Sequence, residues 1–425
     1  MTLVKSTSPV SNLSDVQYKF FVSEKYEKQE KKYENRRKLS VDKRIYMIDE
    51  ETYAYETPFC AKCYSRDVSE YGYNSKMLIS EEGIHHDILV QRYYCKSCGK
   101  LSQTEFEEYD PYSNFSNRTK NKSVQNMELD RISLRNTSKI HKNFNNIKIS
   151  HETVRKSCSI LNETYFTCNI EELSGYYGYD EQWVKINGIK WKYRYVLFDL
   201  IHDMPIAEAI YDDDQMNTVK EFIENTIPHH KRTLIVTDLK EGYDSLMSKL
   251  GFEHQYCTFH LIKNINKKIK EHLNETEEKI EKKIKKTSPE LNKKQLKEKV
   301  EKELKIVKKE IKLFKGIFLD LFKQKSYEDA LKFVERLKYI LDDFPEFFAK
   351  YLKQNFFPKY KKFLTFLKDP HKGKIDSTNN KTENYIGNIM PKADKNKYRT
   401  KIGFINQVYH RTKNWIKNAK FQLTN

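Results

Sequence analysis

The chain has 425 residues, room for two to four domains, and its 38% hydrophobic and 13% aromatic content supplies enough apolar mass to exclude wholesale disorder. A net charge of +18 concentrates polyanions around the surface and makes nucleic acid the leading class of partner. No stretch reaches the roughly 18 uninterrupted apolar residues of a membrane span, and Met1 to Lys19 lacks the apolar segment of a secretion signal. The sequence therefore predicts a cytoplasmic protein that does not engage a membrane.

Residues 1–50 read as a basic tail, with the run Lys25-Tyr26-Glu27-Lys28 through Arg36-Arg37. Such a run either touches DNA or is simply solvated. Residues 51–112 hold two tight cysteine pairs, Cys60-x2-Cys63 and Cys95-x2-Cys98. Each pair suits a knuckle turn that aims two thiolates at one ion, and two knuckles complete the tetrahedral sulfur shell that zinc prefers. With no export signal, one structural Zn²⁺ is a better account than disulfides. Tyr73, Ile88, Val90, Tyr93 and Tyr94 suit the strands of a zinc ribbon; the alternative is four unrelated cysteines. Cys158, Cys168 and Cys257 are scattered, and His85 and His86 read as surface histidines.

A polar stretch, Asn114 to Asn126, leads into residues 120–168, which predict a helix-turn-helix. A first helix over Ser133–Ile140 is followed by an Asn-rich break at Asn143–Asn146 and a second, short basic helix from Ser150 to about Asn162. A serine cap opening a basic helix is the pattern of a recognition helix. Ser150, His151, Thr153, Arg155 and Lys156 are the expected DNA contacts, over a small core of Ile140, Ile149, Val154 and Leu161. An ordinary helical hairpin is the alternative.

From residue 172 the pattern becomes α/β. Strands are predicted at Gly175–Ile186, Lys190–Leu200 and Met204–Tyr211, the first two joined at Asn187-Gly188, a strong hairpin signal. A helix over Met216–Thr226, a strand over Arg232–Thr237, a helix over Tyr243–Leu250 and a strand over Glu253–Cys257 complete the segment 172–260. Residues 261–372 read as helix almost throughout, rich in Lys and Glu over Lys267–Lys312, interrupted at Pro289 with Ser288 as a cap for the restart. Residues 373–425 contain a further helix that begins near Thr378-Asn379, then the C-terminal tail. Trp183, Trp191 and Trp415 read as core residues.

Three acids stand out. Asp180 lies inside an aromatic strand, where a charge costs free energy unless it is paired or binds a cation. Asp238 ends the apolar strand Leu234-Ile235-Val236, at the carboxyl edge where sites of α/β folds gather. Glu383, in the run Thr378 to Asn384, is the best third acid. Three carboxylates suit Mg²⁺ or Mn²⁺, and a two-ion site catalyses phosphodiester chemistry without a protein nucleophile. Asp199 rivals Asp180 and Asp376 rivals Glu383; Asp212, Asp213 and Asp214 read as a helix-capping cluster. On the residues alone, Cys257 and His260 lack partners for a metal and read as a buried thiol and a backbone-bonded histidine. Lys392 and Arg399 read as phosphate contacts.

In this order the motifs resemble the DDE-type transposases of insertion sequences, close in layout to the Mutator-like group. Asp180 matches the acid on the first strand, Asp238 the acid after the fourth, and Glu383 the late glutamate beyond a large helical insertion. Cys257-x2-His260 and Asp238-x4-Tyr243 resemble short signatures of that group, and the likeness covers roughly residues 120 to 415. The resemblance implies a ribonuclease-H-like mixed sheet, begun at 172–260, interrupted by an all-helical insertion at 261–372 and completed by Glu383. It implies two Mg²⁺ or Mn²⁺ ions on Asp180, Asp238 and Glu383, with Cys257 and His260 supporting the site. It also implies binding to terminal inverted repeats and target DNA, a homodimer or larger synaptic assembly, and association with the nucleoid. A catalytically silent DNA-binding regulator and a nuclease that cuts without joining are the alternatives.

Overall fold

The computed structural model describes residues 17–21, 42–110, 113–158, 165–167, 172–187 and 190–423. The segment 1–16, most of the basic tail, Leu161, Cys168 and Gly188 of the expected hairpin turn lie outside the described residues. The strands, in chain order, are β1 (Gln17–Phe21), β2 (Ile45–Met47), β3 (Thr52–Tyr55), β4 (Val68–Ile79), β5 (His85–Cys95), β6 (Leu101–Gln103) and β7 (Tyr165–Thr167). They continue with β8 (Tyr176–Ile186), β9 (Lys190–Asp199), β10 (Met204–Tyr211), β11 (Leu234–Thr237) and β12 (Glu253–Tyr256). They form two mixed sheets in an α/β protein with many helices. The described residues fall into two compact units, one built mainly from Thr167–Lys185 and Trp191–Lys395, the other from Phe20–Phe166, Ile186–Lys190 and Asn396–Asn425.

In the first unit the sheet runs β12-β11-β8-β9-β10. β9 and β10 pair antiparallel, whereas β8, β11 and β12 are parallel neighbours. β11 is buried on every residue, Leu234 to Thr237, as a strand covered on both faces must be. The crossover before β11 contains the Met216–Glu224 helix, whose Val219, Phe222 and Ile223 are buried; the one before β12 contains the Tyr243–Lys249 helix, which buries Tyr243, Leu246 and Met247.

The helical stretch after β12 is not one run. Thr258–Thr287 and Lys293–Asp320 are long helices, with Ile284, Val300, Leu304 and Ile311 buried along them. The restart is capped by Asn292, not Ser288: the Asn292 side chain accepts from Lys294 and Gln295 N–H groups while Gln295 bonds back to the Asn292 backbone. Beyond it, shorter helices gather Phe318, Leu321, Val334, Phe348, Phe356 and Phe363 into a second core shared with Tyr256, Leu261 and Ile265.

In the second unit β4 and β5 form a long antiparallel pair flanked by β3 and β6. Within the polar stretch Asn114–Asn126, Ser116 accepts the Thr119 N–H and opens a helix over Asn117–Val124, which continues as a wider turn over Gln125–Leu129. Two further helices follow, Leu134–Asn145 and His151–Ser157, separated by Asn146 in the left-handed conformation (φ 53°). Ile149 and Val154 are buried as expected, together with Ile147 and Ile79 from β4; Ile140 is only half-buried.

Candidate active site

Asp180 is the fifth residue of β8, on the strand at the centre of the parallel and antiparallel halves. β11 pairs with β8 in the register Val236↔Gly178, and Asp238 is the first residue after the end of β11, two residues beyond that pair. Asp180 accepts the Glu181 N–H at 2.8 Å, and Asp238 accepts the Lys240 N–H at 3.1 Å. Burial, then the charge of Asp238, with Glu383 and Glu181 adding to it, holds the Asp180 carboxyl well above the usual carboxylate range. Burial and Asp238 also raise Glu383, against the cationic pull of His260 and Lys263. Among the described residues the compact donor group of Glu383 is with Cys257 and His260 and not with the two aspartates; carboxylates that raise one another are nonetheless relieved by a divalent cation.

Glu383 stands in the first turn of the Asn380–Ile389 helix. That turn can approach the sheet because residue 178 is glycine. A Cβ there would lie 2.1 Å from Thr382 Oγ1 and 2.2 Å from Asn379 Oδ1. Asn379 donates to the Tyr179 carbonyl at 3.0 Å, and Thr382 donates to Asn379 at 2.6 Å, so the helix start is bonded to the strand that carries Asp180. Further along, Tyr385 donates to Glu208, whose other oxygen accepts from Arg194 at 2.5 Å; both charged side chains are fully buried.

Several residues that sequence reasoning passed over belong to this neighbourhood. Glu181 is raised by burial and accepts from Tyr179 (2.9 Å), Tyr243 and Lys240 (3.3 Å). Lys240 also reaches Asp214 at 2.8 Å. The tyrosine five residues after Asp238 thus has a physical role: its hydroxyl seats the carboxylate adjoining Asp180. Thr237 is held by the buried His254 at 2.9 Å; burial pushes that imidazole down to about 4. The signal for Glu181 was present as a second acid inside an aromatic strand. Gly178 and Asn379 carried no such signal.

The rival acids have other work. Asp199 is fully buried and accepts from Ser174 N–H and Oγ and from the Ile201 and His202 N–H groups at 2.7–3.1 Å, which occupies its lone pairs in tying a turn. Asp213 accepts from Gln215 N and Thr218 Oγ1 at the start of the Met216–Glu224 helix, and Asp212 pairs with Lys192. Asp376 lines a surface hollow with Lys374, Thr378 and Lys381.

Cys257 and His260 do have a partner. Cys257 Sγ lies 3.9 Å, and His260 Nδ1 3.5 Å, from Glu383 Oε1, and the three side chains form one compact donor group. Trp183 and Trp191 are not core residues: they are 56% and 48% exposed and pack edge to face on each other. Trp415 is half-buried.

In the second unit Cys60, Cys63, Cys95 and Cys98 converge, with all four sulfurs within 4.8 Å of one another. The sulfurs of Cys60 and Cys98 are 3.8 Å apart and those of Cys63 and Cys95 3.5 Å. Four thiolates at about 2.3 Å from one zinc would be about 3.8 Å apart. Knuckle hydrogen bonds return from Tyr64 to Cys60 O and from Gly99 to Cys95 O, and β5 delivers Cys95 at its end. The cluster fits a structural zinc. Burial opposes ionisation of Cys95, but N–H donors of Cys98 and Ser97 and neighbouring thiols bring it down to about 7.

Of the expected DNA contacts, Ser150, His151, Arg155 and Lys156 are exposed and Thr153 is half-buried. Ser150 Oγ is engaged as the helix cap on Thr153 N at 3.0 Å, and Arg155 is paired with Glu152 at 2.5–2.8 Å. His151 and Lys156 therefore leave the most open polar atoms on this helix. Lys392 and Arg399 are exposed. Among the described residues no helix is long and apolar enough to cross a membrane.

The described residues thus form a mixed α/β protein with Asp180 within β8, Asp238 just after β11, and four cysteines placed to hold a metal such as zinc. The chain is similar over nearly its whole length to a protein of Methanobrevibacter smithii described as an uncharacterized 48.3 kDa protein of the insertion element ISM1. The two are 26% identical over 434 residues, covering 98% of each chain. No protein-family profile matches the chain.

Proposed function

We propose that the chain is an insertion-sequence transposase whose catalytic acids are Asp180, Asp238 and Glu383. The observation that carries the reading is that the helix start bearing Glu383 is bonded to β8 beside Asp180, through Asn379 on the Tyr179 carbonyl at 3.0 Å. Of the acids, one stands on the central strand, one follows the adjacent parallel strand, and one lies on a late helix beyond a helical stretch. That layout is the one a ribonuclease-H-like catalytic domain of the Mutator-like kind calls for. The full-length likeness to an insertion-element protein supports the same function.

Asp180, Asp238 and Glu383 would hold two Mg²⁺ or Mn²⁺ ions, whose chemistry is to acidify a water or 3′-hydroxyl and to offset charge on a leaving oxygen. All three are hard oxygen donors suited to such ions. Glu181, fixed by Tyr243 and Lys240, keeps β8 and the segment after β11 in mutual register. In this reading 51–112 is a zinc ribbon and 120–168 a helix-turn-helix that recognises terminal inverted repeats, with His151 and Lys156 foremost. Lys392 and Arg399 contact phosphate. Residues 261–372 form a helical insertion that shapes the DNA path, and a homodimer joins two ends before attack on target DNA.

The test is strand cleavage of labelled DNA from the ends of the encoding element, followed by joining to a plasmid. Asp180→Asn and Asp238→Asn should each abolish both steps while retention of end DNA in a gel-shift assay is unchanged. Normal cleavage by either variant would remove the assignment; cleavage without joining by the natural chain would make it a nuclease.

A further inference from the structure

Cys257 is the N-cap of the long Thr258–Thr287 helix, and His260 lies one turn in, so both side chains leave the same helix end. The third member, Glu383, comes from the Asn380–Ile389 helix. One donor atom from each lies within 4.8 Å of the others. The separations are informative. His260 Nδ1 to Glu383 Oε1 is 3.5 Å, too long for an N–H···O bond, and Cys257 Sγ to the same oxygen is 3.9 Å. A tetrahedral zinc with Zn–S about 2.3 Å and Zn–N or Zn–O about 2.0–2.1 Å spaces its ligand atoms about 3.3–3.6 Å apart. The buried Nδ1 of His260 has no hydrogen-bond partner. A ring nitrogen kept out of water without a partner is costly unless something else binds it.

Burial pushes the free Cys257 thiol up to about 11, so it is the spacing of the donor atoms that fits a metal. Cys257 Sγ also accepts the Asn379 N–H at 3.2 Å. The four-cysteine cluster shows the same feature, Lys62 N–H on Cys60 Sγ at 3.3 Å.

We propose that Cys257, His260 and Glu383 form a second zinc site, separate from the four-cysteine cluster, with one coordination position left for solvent. A thiolate, an imidazole and a carboxylate are a borderline-soft set that selects Zn²⁺ over Mg²⁺. Zinc held there would tie Glu383 to the start of the Thr258–Thr287 helix. The site does not rest on the transposase reading, because it is defined by metal content.

The test is the zinc content of the purified full-length chain. The natural sequence should carry two zinc ions per chain, and Cys257→Ser and His260→Gln should each carry one. Cys63→Ser should lose the other, and Asp180→Asn should keep both, whatever its effect on DNA cleavage. Circular dichroism establishes that each variant is folded, and His260→Gln decides the matter if Cys257→Ser does not fold. One zinc per natural chain, or two in folded His260→Gln, would overturn the site while leaving the cleavage experiment untouched.

Discussion

Replacing Gly178 by alanine tests whether the helix bearing Glu383 is seated on β8 by the absence of a side chain. The added Cβ would stand 2.1 Å from Thr382 Oγ1, 2.2 Å from Asn379 Oδ1 and 3.1 Å from Leu200 Cδ2. Ordinary carbon–oxygen contact is more than 3 Å, so two oxygens must each retreat by about 1 Å. Neither is a free side-chain tip: Asn379 is bonded to the Tyr179 carbonyl and Thr382 to Asn379. The helix start must therefore move, and Glu383 is the next residue after Thr382. Overpacking of this kind costs about 1–3 kcal/mol, and a displacement of about 1 Å at a reacting centre costs about 100-fold in rate. The assay is single-turnover cleavage of end DNA in Mg²⁺, beside a thermal melt. The control is Gly387→Ala on the same helix, where an added Cβ meets nothing within 4 Å and better helix propensity should leave stability equal or raised by up to about 1 kcal/mol. If Gly178→Ala cleaves at the natural rate with an unchanged melting temperature, the seating argument is wrong.

Other outcomes are expected. Burial raises the Glu128 carboxyl to about 7, against the pull of Arg411. Its folded value lies above its unfolded one, so the folded state holds the extra proton between about pH 4.5 and 7, and stability falls as pH rises through that window. Glu128→Gln should flatten that fall, by about 3 kcal/mol at most, in urea melts across pH; an unchanged profile would show that Glu128 does not titrate there. Glu208→Gln removes the carboxylate from the fully buried Arg194 and should cost about 3–5 kcal/mol in chemical denaturation; a cost below about 1 kcal/mol would contradict the pairing. Cys98→Ser should release the structural zinc and unfold the β4–β5 region, seen as rapid amide exchange over Val68–Cys95; retained protection would count against a zinc-dependent ribbon.

Much of this protein was legible before any coordinates. Turn residues and short apolar or aromatic runs located β8 to β12 to within a few residues, because both are local signals. The Ser150 cap and the buried Ile149 and Val154 were equally local. The helix over Asn117–Val124 was missed because its residues are polar and its stability comes from a cap and tertiary packing rather than an apolar stripe. The exposed tryptophans were misread because aromatic size suggests burial, whereas Tyr177, Tyr179 and Tyr195 on the same strands are covered and Trp183 and Trp191 are not, a difference only the packing decides.

Composition and spacing by themselves determined the basic charge, the paired cysteines and the order in which acids, helical stretch and late glutamate follow one another, since each is a property of neighbouring residues. Tertiary structure alone decided that Asp199 is consumed by a turn, that Gly178 admits a helix, and that Cys257 and His260 meet Glu383. Those facts depend on which side chains share a volume after the chain has crossed and returned, and no local pattern encodes that distance.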